Sequence, residues 1–157
     1  MENTRSTPAA AANDVASTPH DGGPTASVVA DKDRLAFLPK FFGLRHMMAG
    51  ESQVYDWMKA LCPSYCGGYW QFFTLSNGGF YMALDDGGRG THLHLRWSGN
   101  GFDGEMSCDA AGVAVTLYAL SHLAIETEDE RIGELYHLLR DFAAFHAERR
   151  SIFAVID

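Results

Sequence analysis

Four short segments between residues 69 and 106, each joined to the next by a glycine-rich turn, constrain this chain more than any other feature. Segment 69–75 is dense in aromatic residues and 80–84 is apolar throughout, a composition that suits strands. Between them stands Ser76-Asn77-Gly78-Gly79, a strong hairpin signal because Asn-Gly tolerates the positive φ angles such turns require. Segment 91–97 follows the turn Asp85-Asp86-Gly87-Gly88-Arg89-Gly90 and alternates cleanly. Leu93, Leu95 and Trp97 take one face, His92, His94 and Arg96 the other. A fourth segment, 102–106, follows Ser98-Gly99-Asn100-Gly101. Turns this short cannot carry crossovers, so the segments read as an antiparallel meander of three to four strands.

Helical patterns flank the meander. Over 31–42 the apolar positions Leu35, Leu38, Phe41 and Phe42 keep helical spacing, with Asp31 as a cap, Pro39 interrupting and Gly43 as the end. Val54, Trp57, Met58 and Leu61 fall at i, i+3, i+4 and i+7 of a second helix that Pro63 stops. After the meander, Ser107 or Asp109 can cap a helix carrying Val113, Thr116, Leu117, Leu120 and Ala124. The polar link Glu126-Thr127-Glu128-Asp129-Glu130 leads into another with Ile132, Leu135, Tyr136, Leu139 and Phe142. The terminal Ser151-Ile152-Phe153-Ala154-Val155-Ile156-Asp157 is apolar enough to fold back onto the domain. Helices, a meander, then helices define an α+β fold with helices covering one sheet face.

At 157 residues the chain suits a single domain, which can bury roughly two thirds of its unfolded surface and needs no disulfide or metal. Residues 1–27 stand apart: rich in Ala, Ser, Thr, Pro and Gly, they offer little to bury and read as a flexible tail ahead of a domain spanning 28–157. The start has no apolar stretch of the kind a secretory signal needs, and no apolar run approaches the ~20 residues of a membrane helix. Cys62, Cys66 and Cys108 cannot all pair within one chain, and with no export signal they read as reduced thiols in a cytoplasm.

Enzyme signatures are missing: there is no Walker loop, Rossmann glycine fingerprint, Gly-x-Ser-x-Gly elbow or His-Glu-x-x-His. The best metal candidate joins Cys62 and Cys66 to His92 and His94, four ligands of the type that hold zinc tetrahedrally. Against it, one pair sits at a helix end and the other within a strand, and structural zinc sites usually present two tight ligand pairs. The plainer reading packs Cys62 as a small hydrophobe and leaves both histidines on a solvated face. A nucleophile formed by Cys66 or Cys108 beside His92 or His122 has no supporting motif. No cofactor is expected.

A formal charge of −8 argues against a basic nucleic-acid binder. The aromatic strand Gly68-Tyr69-Trp70-Gln71-Phe72-Phe73 has only Arg89 and Arg96 near it, too few cations to follow a phosphate backbone, so core packing explains it better. The opposite idea, imitation of DNA, fails on magnitude. A globule of ~130 residues spans about 35 Å. Duplex DNA of that length carries about 20 phosphate charges, one per ~1.7 Å. Local features remain for a partner to touch: the hairpin tip at Asn77, the turn carboxylates Asp85 and Asp86, the polar strand face with Arg96, Asp103 and Glu105, and the acidic link Glu128, Asp129 and Glu130. Solvated loops and helix N-termini that favour carboxylates explain the acidic groups better.

The residues also carry a resemblance. Arg34-Leu35-Ala36-Phe37-Leu38-Pro39-Lys40-Phe41-Phe42-Gly43, Cys62-Pro63 with Gly67-Gly68-Tyr69-Trp70, and above all Leu75-Ser76-Asn77-Gly78-Gly79-Phe80-Tyr81-Met82 are similar to the ArdB/KlcA antirestriction proteins of plasmids and other mobile elements. Phe102-Asp103-Gly104-Glu105-Met106-Ser107, Asp109-Ala110-Ala111-Gly112, Leu139-Arg140-Asp141-Phe142-Ala143 and the terminal Ile156-Asp157 continue the match in order. The resemblance implies a small cytoplasmic protein that protects incoming DNA from type I restriction-modification enzymes of a bacterial host. It implies an α+β fold that is not a DNA mimic, with the restriction enzyme or its DNA complex as partner. It brings no catalytic residues.

Overall fold

A computed structural model describes residues 22–157. Of the tail expected over 1–27, residues 1–21 lie outside the described part. The rest is not all tail: Ala26–Val28 forms β1, whose residues Ala26, Ser27 and Val28 pair with Leu75, Thr74 and Phe73. This strand is made by its backbone, all three residues being exposed, and so leaves no hydrophobic pattern to read.

A short 3₁₀ turn, Asp31–Asp33, leads into α1, Arg34–Leu61. Neither Asp31 nor Asp33 supplies the expected cap, since neither helix start receives a side-chain cap bond. Gly43 divides α1: its φ of 75° and ψ of 159° are non-helical, so the two predicted helices meet at a kink where the first was expected to end. Leu35 was expected in the apolar stripe, yet it is 93% exposed while Phe37 is buried. The helix starts at Arg34, which turns Phe37, Phe41 and Phe42 inward and Leu35 outward. In the second half Val54, Met58 and Leu61 are buried, as their spacing predicts.

β2 (Trp70–Leu75) and β3 (Phe80–Leu84) form the expected hairpin, with Phe72 opposite Met82. β4 (His92–Trp97) and β5 (Phe102–Ser107) form the next, with Arg96 opposite Asp103. All pairings are antiparallel, and helices stand before and after them as expected. The two hairpins do not join into one continuous meander: the sheets are β1-β2-β3 and β4-β5.

The reason lies in α2, Cys108–Thr127, capped as expected by the Ser107 hydroxyl, which accepts from the Ala110 amide at 3.1 Å. On the free edge of β3 the buried Thr116 hydroxyl accepts from Met82 N at 3.2 Å and donates to Met82 O at 3.4 Å. A helix side chain thereby takes the place of a neighbouring strand. Gly112 permits the approach, because a Cβ there would stand 2.5 Å from Met82 O and 2.4 Å from the Ala83 Cβ.

α2 runs through the middle, packed by α1, by β3, and by α3 (Glu130–Phe145) and α4 (Arg149–Ile156). It corrects one expectation, since among the described residues it is the one helix long and apolar enough to cross a membrane. Its burial inside this domain accounts for that composition. α3 buries Ile132, Leu135, Leu139 and Phe142 of its predicted stripe and leaves Tyr136 half-buried, while α4 buries Ile152 and Val155. Aromatic packing fills the space between α1 and the first sheet: Phe37 stacks on Phe72 at 4.4 Å between centroids, and Phe80 meets Phe41 at 4.6 Å.

Candidate functional site

The hairpin tip is engaged from within. Asn77 Nδ2 donates to the Leu138 carbonyl of α3 at 2.9 Å, and its Oδ1 accepts from Gly79 N at 3.0 Å. The side chain serves as a tie between sheet and helix, leaving the positive φ of 93° to Gly78.

The turn carboxylates organise their own loop. Asp85 accepts from Gly87 N at 2.8 Å, and Asp86 accepts from Gly88 N at 2.9 Å and Thr91 N at 2.6 Å. These backbone donors, Thr91 first, hold the Asp86 carboxyl below the usual range despite a smaller opposing effect of burial. Arg89 donates to the Asp86 carbonyl at 2.7 Å.

On the exposed face of β4-β5, Asp103 sits between two partners, His94 Nε2 at 2.5 Å and Arg96 Nε at 3.4 Å. Glu105 stands opposite His94 in the ladder, and His92 Nδ1 lies 3.1 Å from the Gly90 carbonyl. The acidic link forms the corner between α2 and α3. Glu128 adopts the left-handed conformation that ends α2, with φ of 54°. Asp129 caps α3 by accepting from Arg131 N at 3.0 Å and lies 3.7 Å from His46 Nε2. Glu130 opens the helix, where a carboxylate suits the macrodipole.

Cys62, Cys66, His92 and His94 are not brought together. Cys62 is fully buried at the end of α1, 3.4 Å from the Ser64 hydroxyl, whereas Cys66 is exposed in the following loop. Among the described residues no group of three or more His, Cys, Asp or Glu side chains is arranged to hold a metal ion. Burial, with nearby Asp86 adding to it, pushes the Cys108 thiol up, the reverse of what an activated nucleophile requires. In the aromatic strand, Trp70 and Phe72 are 4% exposed and belong to the core. Arg34 lies over the Phe72 ring at 4.2 Å and donates to Trp70 O at 2.9 Å.

Two features escaped the sequence reading. One is a joint at the start of α2, where Asp109 accepts from the Tyr81 hydroxyl at 2.6 Å and meets His146 Nε2 at 2.9 Å. Glu148 binds both Ser107 N, at 3.0 Å, and the Ser107 hydroxyl. Burial, followed by the Asp109 charge, raises the Tyr81 phenol, so that it stays a donor. The other is concave. A groove of about 380 Å³ opens between α1, α2 and β4, lined by Trp57, Trp97, His122, Asp56 and Glu126 among others. A second hollow of about 430 Å³, bordered by Arg96 and Asp103, adjoins it through Ala60 and Trp97.

Comparison with known proteins settles the family. The family model for antirestriction proteins matches residues 63–157. An antirestriction protein KlcA of Escherichia coli is 49% identical over 137 residues, covering 85% of this chain and 94% of that protein. The chain belongs to the ArdB/KlcA antirestriction family. A second E. coli KlcA is 47% identical over 138 residues, covering 84% of this chain and 92% of the relative. A solved structure superposes with a TM-score of 0.79 at 47% identity, covering 90% of this chain and 100% of that one. It is described as showing, for KlcA and ArdB, a novel fold and antirestriction activity against type I DNA restriction systems in vivo but not in vitro.

Proposed function

We propose that this protein counters type I restriction-modification by contact alone, in the cytoplasm of a bacterial host, shielding incoming plasmid or other mobile DNA. Its partner is the restriction enzyme or that enzyme's DNA complex. The observation that carries the reading is family membership at 49% identity over most of both chains. The in vivo but not in vitro activity described for the solved relative fits a contact that needs an assembly present in the cell.

Two features support contact over chemistry and over imitation of DNA. The thiols and histidines of the candidate metal set form no ligand group among the described residues, and the Cys108 thiol is shifted away from reactivity. The acidic groups are engaged locally: Asp85, Asp86 and Asp129 accept from their own backbone, and Asp103 is paired with His94 and Arg96. Carboxylates held this way are spaced by loop geometry, not by the regular interval of phosphates along a duplex. Expression in a host with an active type I system, followed by plating of unmodified phage, tests the proposal. Relief of restriction is expected, and restriction at full strength overturns it.

A further inference from the structure

The groove between α1, α2 and β4 combines aromatic surface with negative charge. Tyr118 stacks against Trp57, with centroids 4.3 Å apart and planes 15° apart, and Trp57 lines the groove. Trp97 meets Trp57 edge-on at 5.4 Å and His122 lies at 4.8 Å, so the aromatic wall is fixed by its own packing. Asp56 and Glu126 also line the groove, and among the described residues no Lys or Arg does. Gln53 holds Glu126 in place, donating from Nε2 to Oε2 at 2.9 Å. The same amide carries the one buried side-chain polar atom without a partner among the described residues, Oε1. Indole surface beside two carboxylates suits a planar cation, since an aromatic π-system and the charges act in the same sense. A guanidinium fits best, because it stacks on an indole and also donates in a fork to carboxylates. A volume of about 380 Å³ accommodates one such side chain.

We propose that this groove receives an arginine side chain presented by a protein partner. The inference deepens the reading of the protein as one that acts by contact, and rests on it for the partner's role. The adjoining hollow beside Arg96 and Asp103 gives the residues flanking that arginine a place to lie.

The test titrates the full-length protein with three capped tripeptides, Gly-Arg-Gly, Gly-Lys-Gly and Gly-Gln-Gly, while following the indole N–H resonances of Trp57 and Trp97. The arginine peptide is expected to shift both resonances saturably, with binding weakened at least about tenfold by Asp56→Asn with Glu126→Gln. Both substitutions are isosteric and on exposed residues, and an unchanged melting temperature establishes that the variant folds. No saturable shift, an equal response to the glutamine or lysine peptide, or undiminished binding by the variant overturns the proposal. Phage plating then tests the partner's role: the variant is expected to lose protection. Full protection by the variant shows that the groove does not serve antirestriction. Failure of the unaltered protein to protect instead overturns the proposed function, while the titration still decides the groove.

Discussion

Thr116 and Met82 are joined twice, the Thr116 hydroxyl accepting from the Met82 amide at 3.2 Å and donating to its carbonyl at 3.4 Å. The pair closes the edge of the first sheet with a helix and separates the two hairpins. Thr116→Val keeps the shape and removes both bonds, leaving a buried N–H and C=O unsatisfied. A loss of about 2–4 kcal/mol follows, since each stranded group costs roughly 1–3 kcal/mol and the longer bond, at 3.4 Å, counts at the low end. In a chain of this size that lowers the melting temperature by roughly 5–12 °C, measurable by calorimetry.

Two glycines in helices should respond in opposite directions to alanine. Gly112→Ala places a Cβ 2.4 Å from the Ala83 Cβ, forcing α2 off the sheet edge at a cost of about 3 kcal/mol or more. Gly133 has open space around it, and Gly133→Ala within α3 should stabilise by about 0.5–1 kcal/mol. Urea unfolding of both variants checks the contrast.

The 85–91 loop should keep its order in mild acid. Its carboxylate Asp86 is held below the ordinary value by backbone donors led by Thr91. A group whose folded value is depressed contributes above its unfolded value, about 3.9, and loses that contribution as pH falls through the folded one. The Gly88 and Thr91 amide resonances are therefore expected to hold steady down to about pH 4 and move only below it. Asp86→Asn, which turns an amide N–H₂ or a weaker acceptor toward Thr91 N, should loosen the loop at every pH.

Metal removal should change nothing. Cys62 is buried beside Ser64, Cys66 is exposed, and His94 is paired with Asp103. Melting curves with and without a strong chelator are expected to superpose. A chelator-induced drop would revive the four-residue zinc set.

What could be read in advance was local. The hairpin at Asn77-Gly78, the alternation along 92–97, the Ser107 cap and the stripe of Val54, Met58 and Leu61 each depend on neighbours within a few residues. Contacts distant in the chain left weaker traces. Thr116 was legible as a stripe residue but not as the closure of a sheet edge 34 residues away. The run Asp109-Ala110-Ala111-Gly112 offers side chains small enough for a close helix–sheet approach, but alanines also serve any helix, so the approach at Gly112 could not be read from them. The groove was hidden by its own chemistry: Trp57 fits the core stripe, and only its meeting with Trp97 and His122 across two other elements turns it into a wall.

Plating of unmodified phage on a type I-restricting host bears most directly on the claim that contact, not chemistry, defeats restriction. Two strains suffice, one expressing the unaltered protein and one expressing a folded variant with Cys66→Ala, His92→Ala and His94→Ala together. Equal relief of restriction by both is the predicted result. Protection that vanishes in the triple variant, with its melting temperature unchanged, would contradict the account.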